Sequence, residues 1–189
     1  MYKLVEGAPE DISSRAEREQ RCYRLLDENH IPYLRVDHPA TDTMEACLTI
    51  DHDLGATICK NLFLCDRQEQ HFYLLMIPGD KVFHTRDLSK QLGVARLSFA
   101  KSAYMEQFLD LFPGSVSVLG LMNDRENRVR LLADRELLAG EFIGCHPCVN
   151  TSSLRLRTAD MFGPLLKLMH HDVTYVDLPR TPDSPHLAE

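Results

Sequence analysis

Two apolar runs in the first half of the chain constrain the fold most. They cover residues 56–65 and 71–77, and a charged connection at residues 66–70 separates them. Short apolar runs with polar ends are typical of buried β-strands, and two such runs joined by a few polar residues predict a β-hairpin. Residues 78–80, Pro-Gly-Asp, are expected to end the second strand of this hairpin.

The other segments alternate between helical and strand-like patterns. Apolar spacing and capping residues predict helices from Ser13 or Ser14 to residue 29 and over residues 43–50, 85–92, 98–112 and 158–170. Asp42 and Glu45 resemble a capping box at the start of the second helix, and residues 51–55 are predicted to form a turn. Further strands are predicted over residues 33–36, 116–122, 128–133, 154–157 and 173–176. Hairpins outnumber βαβ units, which favours a mixed sheet with helices packed on it.

Length and composition predict one domain. The chain has 189 residues, 44% of them hydrophobic, which is enough for one sizeable core and too little for two. We expect the domain to span residues 1–178. Residues 179–189 contain three prolines and few apolar groups, so we expect a disordered tail there.

The charge and the hydropathy pattern limit the partners. Lys and Arg number 21 against 28 Asp and Glu, so a broad basic face for duplex nucleic acid is not expected, and any nucleic acid should be held at a local pocket. No run approaches the roughly 20 apolar residues that span a bilayer, and the first residues lack a signal-peptide pattern. We therefore expect a soluble, cytoplasmic protein without a membrane partner.

The six cysteines do not indicate a cofactor. In a reducing compartment they are expected to be thiols, and those within apolar patterns are expected to pack in the core. Cys145 and Cys148 have the spacing of a redox pair or of half a zinc site. Both interpretations are weak, because a strand rather than a helix follows Pro147 and no second pair of ligands has a similar spacing. We expect neither a metal nor another cofactor.

Two places depart from plain strand and turn patterns. Lys60 and Asn61 interrupt an apolar run, so the lysine must reach the surface, form a pair or point into a cleft. Gly144, His146 and Pro147 indicate a tight turn whose exposed amides can face an anion or a carbonyl group. From the residues alone, a surface lysine and a turn histidine are the simpler interpretations, and a cleft is the alternative.

Five segments, in this order, resemble the superfamily that contains YbaK and the editing domain of prolyl-tRNA synthetase. The resemblance is greatest to its freestanding alanyl-tRNA(Pro) deacylases of the ProXp-ala or PrdX type, and it covers about residues 20–178. The segments that carry it are residues 38–46, 60–64, 114–124, 141–151 and 173–178. The fold that it implies is α/β: a compact single domain with a central mixed, barrel-like β-sheet and flanking helices.

The resemblance also implies a site. It identifies Lys60, Gly144 and His146 as the residues of the reaction centre. Substrate-binding positions are implied at Asn61, Met44, Cys47 and Pro147. Relatives that remove cysteine have serine in place of the histidine of the Gly-x-His-Pro loop, so His146 favours alanine. Family members often have Pro-Phe where this chain has Val118-Leu119, which leaves one wall of the pocket open to change.

The implied activity is hydrolysis of the ester in mischarged Ala-tRNA(Pro). Lys60 is expected to contact the phosphate or ribose at the tRNA end, as a point charge that Asn61 helps to orient. His146 is expected to bind the amino group of the substrate or the reacting water. The partner is the acceptor end of tRNA(Pro) carrying alanine, with prolyl-tRNA synthetase or an elongation factor as transient partners. The alternatives are a Cys-tRNA(Pro) deacylase and a noncatalytic module that binds the tRNA end.

Overall fold

A computed structural model describes residues 1–40, 44–56 and 58–180, without the side chains of residues 44–48. Within these residues, four regular helices pack around the strands. They are α1 (Glu17–Glu28), α2 (Met44–Leu54), α3 (Thr85–Leu92) and α4 (Ser102–Leu109). Three 3₁₀ segments cover Ile12–Ser14, Val118–Asn123 and Arg135–Ala139. No helix in the described part of the chain is long and apolar enough to cross a membrane.

A fifth helix, α5 (residues 158–168), changes its winding in the middle. It begins as an α-helix over Thr158–Asp160, widens to a π-helix over Met161–Leu165 and ends as an α-helix over Leu166–Leu168. Pro164 lies in the wide part. Because proline has no N–H and its ring collides with the preceding turn of an α-helix, the widened turn lets the helix continue past it.

The described strands form two sheets. They are β1 (Leu4–Glu6), β2 (Tyr33–Asp37), β3 (Lys60–Cys65), β4 (Phe72–Ile77), β5 (Ser98–Phe99), β6 (Val129–Asp134), β7 (Phe142–Cys145), β8 (Ser152–Arg157) and β9 (Val173–Val176). The first sheet has the order β1-β2-β8-β7 and is antiparallel throughout. The second sheet has the order β5-β3-β4-β6-β9, in which β4, β6 and β9 are parallel and β3 and β5 complete an antiparallel edge.

The predicted α/β class is therefore confirmed, as are the mixed sheet and the hairpin of β3 and β4. The strands differ from the expected arrangement in forming two sheets that do not close into a barrel. A single parallel bridge between Ile58 and Gly144 joins the two sheets. At the same place the amide of Cys59 donates to the carbonyl of Gly144 at 3.1 Å. The edges of the two sheets thus meet just before β3 begins and where β7 ends.

Strand β4 forms the centre of the core. All six of its residues are buried, and they alternate between two clusters. Phe72, Leu74 and Met76 belong to the larger cluster, whereas the intervening residues belong to the smaller one on the other face. This period of two is the geometry of a strand covered on both faces, and each such buried side chain contributes about 1.5–3 kcal/mol. The uninterrupted apolar run in the sequence follows directly from this position.

The prediction of a strand over residues 116–122 is wrong. The segment Val118–Asn123 is a 3₁₀ helix, and Ser117 caps it by accepting a hydrogen bond from the amide of Leu119 at 3.2 Å. Val118, Leu119 and Leu121 are fully buried. A short buried helical turn has no exposed face, so its sequence has the same unbroken apolar run as a buried strand.

Several boundaries also differ from the predicted ones. The helix predicted over residues 98–112 is shorter, because Ser98–Phe99 is the edge strand β5 and Asp110 ends α4 in the left-handed region. The turn predicted at residues 51–55 belongs to α2 as far as Leu54, and Gly55, with φ +67°, follows it. Position 42 of the predicted capping box lies outside the described residues. Of the predicted tail the structure describes only residues 179 and 180.

Candidate active site

The predicted site residues lie where the two sheets meet. Gly144 is the third residue of β7, and the loop at residues 146–150 follows. Opposite this strand is the segment at residues 58–61, which the Ile58–Gly144 bridge and the Cys59–Gly144 hydrogen bond attach to it. The structure therefore brings together two predicted groups that are more than 80 positions apart in the sequence.

Gly144 is required for this contact and not for a turn. A Cβ atom at this position would lie 3.0 Å from the Cα of Ile58 and 3.1 Å from its backbone nitrogen, so the backbone of Ile58 would have to move by a few tenths of an ångström. The expected tight turn beginning at Gly144 is wrong, because the residue lies within a strand. The left-handed residue of the following loop is Cys148, with φ +63°. Glycine permits the close approach of two backbones here.

The half-buried His146 has one ring nitrogen fixed by the protein. Its Nδ1 lies 3.0 Å from the carbonyl oxygen of Ser152. A carbonyl oxygen can only accept, so Nδ1 carries the proton and donates it. The neutral ring then has its lone pair on Nε2, for which the described residues provide no hydrogen-bond partner. His146 is thus prepared to accept a hydrogen bond from a ligand or from water. Pro147, the next residue, is buried.

A second histidine supports this arrangement through a serine. The buried His38 donates from Nδ1 to the carbonyl of Pro39 at 2.9 Å, which leaves its Nε2 to accept from the hydroxyl of Ser153, also at 2.9 Å. The oxygen of Ser153 lies 3.4 Å from Nδ1 of His146. Having donated its proton to His38, the hydroxyl offers His146 only lone pairs. Both neighbours of His146 therefore favour the same tautomer.

The surroundings keep His146 neutral. Burial lowers its pKa below the usual 6.5, and the nearby His38 acts in the same direction, while the carbonyl of Ser152 opposes them. Removing a charged imidazole from water costs free energy, which favours the neutral form. At neutral pH His146 is therefore a hydrogen-bond acceptor and a possible proton acceptor, not a cation.

The backbone of the loop is held by the capping serine of the 3₁₀ helix. The hydroxyl of Ser117 donates to the carbonyl oxygen of His146 at 2.5 Å and accepts from the amide of Leu119. Ser117 is fully buried. One side chain thus orients both the start of the 3₁₀ helix and the residue that carries the imidazole.

Asn61 presents a buried acceptor without a partner. Its Nδ2 donates to the carbonyl of Cys59 at 3.2 Å, which sets the orientation of the amide. The other amide atom, Oδ1, is inaccessible to solvent and has no hydrogen-bond partner. An unsatisfied buried polar atom costs about 1–3 kcal/mol, and such atoms cluster at functional sites. This oxygen has unused lone pairs but is closed to solvent, so a ligand donor reaches it only if the residues that cover it move.

Lys60 is exposed at the first position of β3. Its Nζ donates to the backbone carbonyl of Lys81 at 3.2 Å. Within residues 1–40, 49–56 and 58–180, no carboxylate lies within 4.0 Å of this ammonium. The alternative that Lys60 is a surface charge is correct about its exposure, and this exposed ammonium, which lacks a carboxylate partner among the described residues, is also available to an anion.

The cysteines near the loop are core residues. Cys145 and Cys148 are buried, and Sγ of Cys148 lies 3.4 Å from Sγ of Cys22 on α1. Burial raises the pKa of the thiols of Cys22 and Cys145 above its ordinary value, so they are poor nucleophiles and poor metal ligands. In the described residues, no group of three or more His, Cys, Asp or Glu side chains is arranged to hold a metal ion.

The two predicted wall residues, Met44 and Cys47, lie on α2, but their side chains are outside the described residues. The end of α2 is attached to the site from its other side. Asp51 accepts a hydrogen bond from the amide of Ile58 at 3.0 Å, and Arg155 donates to the carbonyl of Leu54 at 3.1 Å. Helix α2 is therefore fixed next to the residue that bridges the sheets.

Prominent surface clefts do not coincide with this site. A cleft of about 480 Å³ lies at α5, and one of about 310 Å³ borders residues 148–150 on the side that faces α1. Neither is lined by Lys60, Asn61 or His146. The predicted site therefore rests on the resemblance and on the chemistry of its side chains, and not on either of these clefts.

Sequence reasoning did not identify His38, Ser117 and Ser153 as part of the site. Each is a polar side chain that the fold buries, and the buried state is the signal that marks it. That signal exists only after folding, because a serine or histidine at a strand end is ordinarily exposed. The His-Pro step at residues 38–39 was the one hint available beforehand.

Comparisons with known proteins agree with this geometry. The family model of the aminoacyl-tRNA editing domain matches residues 38–163. The prolyl-tRNA editing protein ProX of Acetoanaerobium sticklandii is 30% identical over 142 residues, which cover 75% of this chain and 87% of that protein. The prolyl-tRNA synthetase associated domain-containing protein 1 of Danio rerio is 31% identical over 168 residues, 88% of each chain.

A solved structure shows the same fold. The crystal structure of a protein proposed to be a trans-editing enzyme for prolyl tRNA synthetase superimposes with a TM-score of 0.65. The match covers 88% of this chain and 99% of that one at 17% sequence identity. At this identity the likeness concerns the architecture of the two sheets and their helices.

Proposed function

Because the chain belongs to the aminoacyl-tRNA editing domain family, we propose that it hydrolyses the ester of alanine mischarged onto tRNA(Pro). Membership makes the protein an aminoacyl-tRNA deacylase, and the finer proposal concerns its amino acid and its tRNA. The observation that carries it is the neutral His146 on the loop that follows Gly144, whose Nε2 has no hydrogen-bond partner among the described residues and is free to accept one. The relative from A. sticklandii is named for prolyl-tRNA editing, which supports the choice of tRNA.

The reaction adds water to the ester carbonyl carbon and then breaks the bond between that carbon and the ribose oxygen. The water loses one proton as it attacks, and the ribose oxygen gains one as it leaves. An aminoacyl ester is reactive, so positioning the substrate and accepting a proton are sufficient roles for the protein. Nε2 of His146 accepts a hydrogen bond either from the attacking water or from the α-ammonium group of alanine.

Lys60 and Asn61 bind the tRNA end in this proposal. The ammonium of Lys60 is exposed and lacks a carboxylate partner among the described residues, so it attracts a phosphate oxygen. The buried Oδ1 of Asn61 accepts from a ribose hydroxyl once the bound tRNA end displaces the groups that cover it, since that donor relieves the cost of its unsatisfied state. These contacts act on one nucleotide, which agrees with a net charge of −7 and the absence of a general excess of basic residues.

Selectivity for alanine over proline is proposed to be steric. A pocket excludes a larger ring more readily than it discriminates against a small methyl group. The wall is assigned to Met44 and Cys47 on α2, with the backbone of Gly144 and the buried Pro147 opposite. If Met44→Ala enlarges the pocket, proline is accepted better relative to alanine. An unchanged ratio of the two rates removes Met44 from the wall.

The decisive experiment compares hydrolysis of Ala-tRNA(Pro), Cys-tRNA(Pro) and Pro-tRNA(Pro) by the purified protein. We expect alanine to be removed fastest and proline to be spared. Faster removal of cysteine supports the alternative of a Cys-tRNA(Pro) deacylase. Binding of tRNA(Pro) without hydrolysis of any of the three supports the noncatalytic module.

We also propose that the reaction takes place in the cytoplasm and needs no metal. Prolyl-tRNA synthetase or an elongation factor is proposed as a transient partner.

A further inference from the structure

A completely buried lysine orients the backbone that binds Lys60. The side chain of Lys81 is only 1% exposed, and its Nζ lies 2.6 Å from Asp134, 2.6 Å from the carbonyl of Leu178 and 2.8 Å from Glu136. A buried ammonium is stable only when partners of this kind replace its water. Since the carbonyl of the same residue accepts the hydrogen bond from Lys60, these partners also fix the place of that ammonium.

The residue before Lys81 is the acid Asp80, and Arg180 holds it. The two terminal nitrogens of Arg180 lie 2.8 and 3.3 Å from the two carboxylate oxygens of Asp80, which is a bidentate pair. Arg180 also contacts Glu136 at 2.8 Å. Planar, two-point pairing of this kind fixes the direction of a carboxylate and not only its charge.

Without Arg180, Asp80 would be an unpaired carboxylate next to Lys60. It directly precedes the residue whose carbonyl binds the Lys60 ammonium, and the charge of Lys60 already contributes to lowering the pKa of Asp80, after the larger effect of Arg180. An ion pair between Asp80 and Lys60 would compete with any phosphate for the same ammonium.

We propose that Arg180 is a positioning residue, which pairs with Asp80 and so keeps the ammonium of Lys60 available to the phosphate of the tRNA end. The inference rests on the proposed role of Lys60 in binding substrate. Arg180 lies beyond residues 38–163, which the family model matches, so a segment outside that domain completes the site.

The test uses Arg180→Ala, Asp80→Asn and the double variant. We expect Arg180→Ala to raise KM for Ala-tRNA(Pro) by about two- to fivefold with little change in kcat, the range expected for an exposed ion pair. Asp80→Asn alone should keep the wild-type KM, and the double variant should regain it, because no competing carboxylate remains. Arg135→Ala is the matched control, since Arg135 is also exposed and pairs with Asp177 at 3.2 Å.

A structural role for Arg180 gives a different result. If Arg180 only anchors the end of the chain, Asp80→Asn cannot compensate for the loss of the Arg180 side chain. A double variant that keeps the raised KM therefore overturns the proposal.

The side-chain ¹⁵N resonance of Lys60 provides a readout that needs no substrate. It should shift in Arg180→Ala and return in the double variant, and no shift likewise overturns the proposal. If the variants show these shifts but the wild-type protein does not deacylate Ala-tRNA(Pro), the proposed function is contradicted and the positioning role of Arg180 is not.

Discussion

At the scale of the residue, the protonation state of His146 decides what the site can do. Its Nδ1 donates to Ser152, and burial keeps its pKa below 6.5, so a neutral ring with a free Nε2 is present at neutral pH. A protonated ring has no lone pair and cannot accept a hydrogen bond. His146 can therefore accept a hydrogen bond in the proposed reaction only because the protein stabilises the neutral form of its ring.

This state predicts the acid limb of the pH profile. Because the neutral form is the active one and its pKa is lowered, the acid limb of kcat/KM should have its midpoint below pH 6.5. His146→Asn should reduce kcat/KM by about 10²-fold, within the range for a lost proton acceptor, and should remove this limb. Rates measured from pH 5 to 8 check the prediction, with ester stability followed in samples without enzyme. A wild-type limb above pH 7 contradicts it.

The close approach at Gly144 gives a second prediction. Gly144→Ala places a Cβ atom 3.0 Å from the backbone of Ile58, so β7 and the segment before Lys60 must separate. We expect a loss of about 1–3 kcal/mol in the free energy of unfolding, as for other overpacked sites, together with a loss of deacylation. Gly163→Ala is the matched control, because no atom lies within 4 Å of the added carbon. Equal stability of the two variants in urea unfolding would refute the packing argument.

At the scale of the element, the 3₁₀ helix of residues 118–123 determines where the His146 loop lies. The connection is the hydroxyl of Ser117, which caps the helix and holds the carbonyl of His146. A polar side chain buried between two elements fixes their relative position, since each lost bond leaves a buried group unsatisfied.

Replacing Ser117 should therefore affect activity more than replacing a similar serine. Ser117→Ala leaves the carbonyl of His146 without this donor, so we expect about 1–2 kcal/mol of destabilisation and a lower kcat for Ala-tRNA(Pro). The control is Ser115→Ala, in which the lost bond to the carbonyl of Phe112, 3.0 Å long, does not involve the loop. Thermal unfolding and single-turnover rates are measured for both. Equal kcat values would show that Ser117 does not position His146.

At the scale of the whole molecule, a buried ion pair connects the end of α5 to the start of β6. Nε2 of His171 lies 3.1 Å from Asp124, whose carboxylate also accepts from the amides of residues 128 and 129. Burial is the largest single effect and by itself would lower the pKa of His171, but the bond to Asp124, the bond to the carbonyl of Met169 and the charges of Asp124 and Asp172 together raise it above 6.5. For Asp124, burial is likewise outweighed and the pKa is lowered below 3.8.

These directions predict how stability depends on pH. A histidine with a raised pKa stabilises the fold fully below its unfolded value, near 6.5, and this contribution is lost as the pH rises through the folded value. The contribution of Asp124 is present above its unfolded pKa and is lost as the pH falls through the lowered one. The difference in unfolding free energy between wild type and His171→Gln should be about 1–3 kcal/mol at pH 6 and smaller at pH 8. A difference that grows toward pH 8 contradicts the assignment.

The sequence by itself determined the features that depend on local pattern. The apolar run that became β4 predicted a strand, and the charged connection before it predicted the hairpin with β3. Proline at position 164 was expected inside the last helix, where it lies. The resemblance indicated Lys60, Asn61, Gly144 and His146 as one group, and the structure places their two segments side by side.

Only the tertiary structure decided the features that depend on distant neighbours. The run at residues 116–122 has the composition of a strand, but residues 118–123 wind into a 3₁₀ helix that Ser117 caps. The hydrogen bond between Ser153 and His38 spans 115 positions, and the bond from Lys60 to the backbone of Lys81 spans 21. Bonds of this kind form between residues that the sequence keeps far apart, so no local pattern carries them.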